Sequence, residues 1–143
     1  VIFEIQQNSD TTYRVFDWNR VDTSGKPREL HVGKSLESID FNDIEPGLVS
    51  EKFVEQNGIK TRILASDPLF TVTYHELASE KKTDLSPRTM QIIGVLEGEL
   101  HVEHAGKKLT LSAGQFCLIP ASLENVDLQA GSRCSFLKTI SAN

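Results

Sequence analysis

The segments VLEGELHV at 95–102 and LSAGQFCLIPA at 111–121 decide how this chain folds. The apolar run 90–95 enters the first of them, and Gly98 lets the strand turn and run back through 100–104. Gly106-Lys107-Lys108 makes the next hairpin turn, 109–111 returns, and Ala113-Gly114-Gln115 leads into 116–120. Outward from this centre, 126–128 and 134–137 continue the series toward the C-terminus. On the other side lies 69–77, rich in branched and aromatic residues. Short strands punctuated by glycine turns at intervals of about 8–12 residues predict an all-β barrel or sandwich.

The N-terminal side reads differently. Residues 28–41 are the single helix candidate, with Leu30, Leu36 and Ile39 near one face and Pro27 before or within the first turn. Gly33 weakens that helix by about 1 kcal/mol relative to alanine. His31 stands alone on it, a surface or internally satisfied histidine rather than a ligand. Residues 42–47 form a turn cluster ending in Glu45-Pro46-Gly47, 49–57 is partly extended until Gly58, and 59–66 is an extended approach to the strand-rich part. The charged stretch 80–88 reads as loop.

With 143 residues the chain can bury a real core. A net charge of -5 argues against nucleic acid, which selects a basic surface, and no apolar run approaches the roughly 20 residues of a membrane helix. Cys117 and Cys134 lie in separate apolar strand candidates without metal-ligand spacing. They read as buried reduced thiols of a cytoplasmic chain that shows no signal peptide. Val1 opens directly into strand-like sequence without an initiator methionine, as expected of a fragment, a trimmed chain or a domain whose leader has been removed.

Polar residues are unusually dense in 4–18, EIQQNSDTTYRVFDW. Alternation puts Ile2, Glu4 and Gln6 on one face and Phe3, Ile5 and Gln7 on the other, with a turn at Asn8-Ser9-Asp10. In the following extended run Arg14, Phe16 and Trp18 share a face, holding one guanidinium between bulky side chains and ready for an anionic partner. The competing reading is an ordinary ion pair with Asp10 or Asp17.

The run EIQQNSDTTYRVFDWNRVD, followed by GKPRELHVGKSLESIDF, resembles the second half of short bacterial type I mannose-6-phosphate isomerases, zinc-dependent cupin enzymes. The likeness continues more weakly through the β-rich remainder. It implies an all-β cupin fold, a double-stranded β-helix of the jelly-roll type, with one short helix. It also implies three parts: closing strands of the catalytic cupin at 1–25, helix and linker at 26–66, and a metal-free C-terminal cupin at 67–143. The family interconverts mannose 6-phosphate and fructose 6-phosphate. By the resemblance, Arg14 matches an active-site arginine, Glu4 matches an acidic residue of the same pocket, the substrate is a small hexose phosphate, and the partner is a missing N-terminal catalytic half. That half would supply every zinc ligand of the intact enzyme, so this chain alone holds no zinc and is expected to be inactive.

The pattern around 95–121 itself resembles a cupin. Its metal motifs would fall with Gln91 at the glutamate position, 86–88 at the His-x-His, and Asn125 at the second histidine, so no ligand set is expected. His101 and His104 point to opposite faces of one strand and read as surface histidines, as His75 and Glu76 face apart. No Gly-x-Ser-x-Gly elbow is present. A stand-alone, metal-free cupin serving as a sugar-binding, regulatory or interaction module is the alternative.

Overall fold

The computed structural model of the chain describes residues 2–5, 10–44, 47–85 and 87–141. The turn expected at Asn8-Ser9-Asp10, the end of the cluster at Glu45-Pro46 and the position of Ser86 lie outside the described residues. Two compact units divide at 46/47, Val1–Pro46 and Gly47–Asn143.

The described residues of the second unit form a β-sandwich of ten antiparallel strands: β1 (Val54–Gln56), β2 (Ile59–Ser66), β3 (Phe70–Leu77), β4 (Lys82–Leu85), β5 (Gln91–Glu97), β6 (Glu99–His104), β7 (Lys107–Ser112), β8 (Phe116–Ile119), β9 (Val126–Ala130) and β10 (Cys134–Ser141). One sheet runs β1-β2-β3-β10-β5-β8 and the other β4-β9-β6-β7. The two packed sheets are the sandwich that the spacing of strands and glycine turns predicts, in the jelly-roll form that the family resemblance implies.

Alternation explains the core. Leu77, Ile93, Val95, Cys134 and Phe136 face inward from the larger sheet, and Leu85, Leu100, Leu111, Val126, Leu128 and Ala130 face inward from the smaller one. Fully burying a side chain the size of Phe136 or Leu100 stabilises the fold by about 2 kcal/mol. Gly98 makes the β5–β6 turn possible twice over. Its φ is +77°, and a Cβ there would lie 2.2 Å from the Arg133 carbonyl oxygen.

One correction to the sequence reading concerns this unit. The charged stretch at 80–88 is not all loop, because Lys82–Leu85 pairs with β9 from Lys82↔Gln129 to Leu85↔Val126. Ladder hydrogen bonds from a neighbour make a strand there without a hydrophobic pattern. The stretch at 59–66, expected to be extended, is a strand along its whole length, paired with β3 through a register shift between Ile63 and Ala65.

In the first unit, the described residues hold an isolated bridge between Val21 and Pro27 and a helix, α1 (Val32–Ser38). The helix is shorter than 28–41, and Pro27 is in the bridge rather than in a first helical turn. At the start no side chain caps it, and at the end the Ile39 N–H still donates to the Ser35 carbonyl at 3.1 Å while its own backbone is already extended, which stops the helix there. The stripe Leu30, Leu36 and Ile39 is exposed, and Ser35 is the buried residue of the helix. Among the described residues, the stretches 2–5 and 13–18, both expected to be extended, carry no regular strand.

Candidate functional site

The polar segment around Arg14 is organised by a carboxylate. Asp17 is almost wholly buried, and three arginines converge on it. Arg28 donates from Nε to Oδ2 at 2.7 Å and from Nη2 to Oδ1 at 2.5 Å, and Arg20 Nη2 donates to Oδ1 at 2.5 Å. Arg14 Nε stands 3.8 Å from the same Oδ1. The Arg28 hydrogen bonds, helped by Arg20, hold the Asp17 carboxyl down at about 2 against the cost of burial.

The backbone of Arg14 is held more firmly than its side chain. The His31 N–H donates to the Arg14 carbonyl at 2.7 Å, while the Arg14 N–H donates to His31 Nδ1 at 3.3 Å. That second bond makes Nδ1 the acceptor and leaves any ring proton on Nε2, which faces Glu29 at 3.9 Å. Arg14 Nη1 donates to the Glu29 carbonyl at 3.3 Å. The Tyr13 ring lies 6.3 Å from His31, with Lys34 Nζ 5.8 Å from the Tyr13 centroid.

Three guanidiniums against one buried carboxylate leave a surplus of positive charge in one place, and Arg14 is the member least committed to Asp17. A half-buried guanidinium fixed through backbone and side chain, with donors left over, is suited to an oxyanion or a phosphoryl group.

The sequence-predicted residues therefore have mixed placements. The pairing of Arg14 with Asp17 is present. The aromatic slot is not: Phe16 and Trp18 pack edge to face on each other at 5.3 Å and are largely exposed, because Trp18 turns into the left-handed region with φ +54° and breaks the alternation. Glu4 is exposed and takes no part in this cluster. Arg20, Arg28 and His31 were missed as a group. Their signal was the accumulation of cationic side chains within a short polar span, which no single-residue pattern reveals.

The remaining histidines are engaged individually. His101 contacts Thr110 Oγ1 at 3.1 Å and Glu99 Oε1 at 3.4 Å, and His104 Nδ1 is buried without a partner. Neither is a fully exposed surface histidine, since strand pairing half-covers both rings. His75 stacks flat on Phe136 at 4.9 Å, while its neighbour Glu76 turns the other way to Arg133 at 2.7 Å. Both cysteines are free thiols, and burial raises both, Cys134 to about 11.

The donor set does not fit a zinc ion. No group of three or more His, Cys, Asp or Glu side chains converges among the described residues as the ligands of such an ion would. No helix among the described residues is long and apolar enough to cross a membrane.

Residues 60–138 match the family model for the cupin domain of mannose-6-phosphate isomerase. The chain is 33% identical over 132 residues to mannose-6-phosphate isomerase ManA of Bacillus subtilis (strain 168), covering 92% of this chain and 41% of the relative. It is 28% identical over 125 residues to the mannose-6-phosphate isomerase of Streptococcus mutans, covering 87% and 39%. The chain thus spans about two fifths of the length of these relatives. The crystal structure of the mannose 6-phosphate isomerase from Bacillus subtilis superposes with a TM-score of 0.76 at 25% identity over 93% of this chain and 41% of that one. An RmlC-like cupin from Shewanella frigidimarina, at 19% identity and a TM-score of 0.59 over 66% of this chain and 86% of that one, shares the fold.

Proposed function

Since the chain belongs to the mannose-6-phosphate isomerase cupin-domain family, we propose that it is the C-terminal part of such an enzyme and contributes Arg14 to the binding of a hexose phosphate. The observation that carries this reading is the positive surplus around Asp17, with Arg14 fixed by His31 and only loosely held by the shared carboxylate. Interconverting an aldose and a ketose phosphate moves a proton between C1 and C2 through an enediol, so a cation beside the developing oxyanion or the phosphate lowers the barrier. Arg14 is suited to either duty. Glu4 is the weaker candidate, for acid–base or orienting work, and would have to be brought to the cluster by the rest of the enzyme.

The exposed apolar side chains of the first unit support the same reading. Val15, Phe16, Trp18, Leu36, Phe41 and Ile44 are each more than half exposed, far more apolar surface than a finished domain leaves in so short a stretch. We assign their cover to a missing N-terminal catalytic half, which would also hold the zinc of the intact enzyme; a cytoplasmic site of action fits that chemistry.

A coupled assay of mannose 6-phosphate isomerisation tests the proposal on two samples, the 143-residue chain with added zinc and the full product of the gene that encodes it. Turnover is expected from the full product alone. Activity of the isolated chain that follows the protein through purification, or a full product that is inactive or no longer than this chain, overturns it.

A further inference from the structure

The jelly roll carries a cleft that none of the isomerase chemistry uses. It has a volume of about 310 Å³ and opens where the edge strands of the two sheets face each other, β1 and its neighbour β2 on one side and β4 on the other. Gln56, Asn57, Ile59, Thr61, His75 and Thr83 line it. Thr61 sits directly across the ladder from His75.

His75 is the residue that calls for a ligand. Its ring is stacked within 3° of parallel on Phe136, so its orientation is set, and its Nε2 is buried with no hydrogen-bond partner. A buried polar atom without a partner has lost its water and gained nothing in return, a cost that a bound hydroxyl can recover. Burial, with a smaller contribution from the charge of Lys138, lowers the imidazole to about 4, so it is neutral at physiological pH and can accept at one nitrogen and donate at the other.

We propose that this cleft binds a neutral, hydroxyl-rich small molecule the size of a hexose or hexitol, with one ligand hydroxyl on His75 Nε2 and others on Thr61, Thr83 and Gln56. The chemistry of the lining selects that class. No lining side chain is charged at neutral pH and the nearby Lys138 disfavours a cation, which leaves hydrogen bonds as the means of recognition the lining itself offers. Threonine hydroxyls and side-chain amides, each able to give and take hydrogen bonds, match a polyol, and Val54 and Ile59 offer apolar surface to its carbon skeleton. The inference is independent of the isomerase reading, since none of these residues belongs to the Arg14 cluster.

Histidine-ring NMR of the 143-residue chain, titrated with D-mannose, D-mannitol and mannose 6-phosphate, tests it. The His75 resonances, identified with His75→Phe, should move saturably with the two neutral probes at midpoints on the order of millimolar, while those of His31 stay in place. Thr61→Val should weaken the midpoint by about fivefold, the loss of one hydrogen bond. Gln56→Ala, at an exposed strand end, provides the same test should the first variant misfold. No saturable movement by ~100 mM, a response to mannose 6-phosphate alone, or unchanged midpoints in a folded variant would each overturn the proposal.

Discussion

Arg28 closes a two-pronged grip on Asp17 from eleven residues away, Nε on one carboxylate oxygen and Nη2 on the other, so the segment between them is tied into a loop. Removing the carboxylate leaves three guanidiniums facing one another around an uncompensated pocket. Asp17→Asn should therefore speed thermolysin cleavage within 10–31 by at least about tenfold at pH 7, with cleavage in the strands unaffected. The pH dependence has a definite sign. A carboxyl held at about 2 instead of 3.8 contributes stability above its ordinary range, and that stability is lost as pH falls toward 2. Pepsin cleavage of 10–31 should rise over that interval in the native chain, and the step should vanish in Asp17→Asn. A variant that behaves like the native chain would refute the clamp.

Arg14 offers a separation between binding and scaffolding. Arg14→Lys preserves charge and loses the planar fork, so in the intact enzyme kcat/KM should drop by at least about tenfold, on the order of 1.4 kcal/mol of transition-state stabilisation. Its hydrogen bond to the Glu29 carbonyl is long and its approach to Asp17 is 3.8 Å, so melting should change little. Full activity with a melting point several degrees lower would make Arg14 a structural residue.

The amide pair Gln91 and Asn125 predicts a metal-free jelly roll. Untagged chain dialysed after purification should retain less than about 0.1 zinc or iron per molecule by elemental analysis. Near-stoichiometric metal that survives dialysis would show a ligand set assembled from other residues.

Gly98 and Gly33 make a matched pair. Gly98→Ala places a methyl against the Arg133 carbonyl in a left-handed turn and should cost at least about 2 kcal/mol in urea unfolding. At Gly33 nothing lies within 4 Å of the added methyl and φ is ordinary, so Gly33→Ala should extend protection of the α1 amides to hydrogen exchange. Equal effects at the two sites would contradict the packing at the β5–β6 turn.

The amino-acid sequence by itself determined the β-rich plan, because alternation and glycine turns act over a few residues and need no partner to be recognised. The neutral amides at Gln91 and Asn125 were equally legible, since donor chemistry belongs to the residue type. The tertiary structure alone decided the rest. Lys82–Leu85 became a strand only when β9 supplied its hydrogen bonds, as a charged segment has no apolar pattern of its own. The flank of Arg14 was read as an aromatic slot, yet Asp17 gathers cations from positions 14, 20 and 28 and bends the chain away from the extended form. His75 looked like one of four unremarkable histidines until strand register laid Phe136 beneath it and Thr61 beside it. Periodicity is local, whereas a buried carboxylate or an unpartnered imidazole is defined by residues that meet only after the chain has folded.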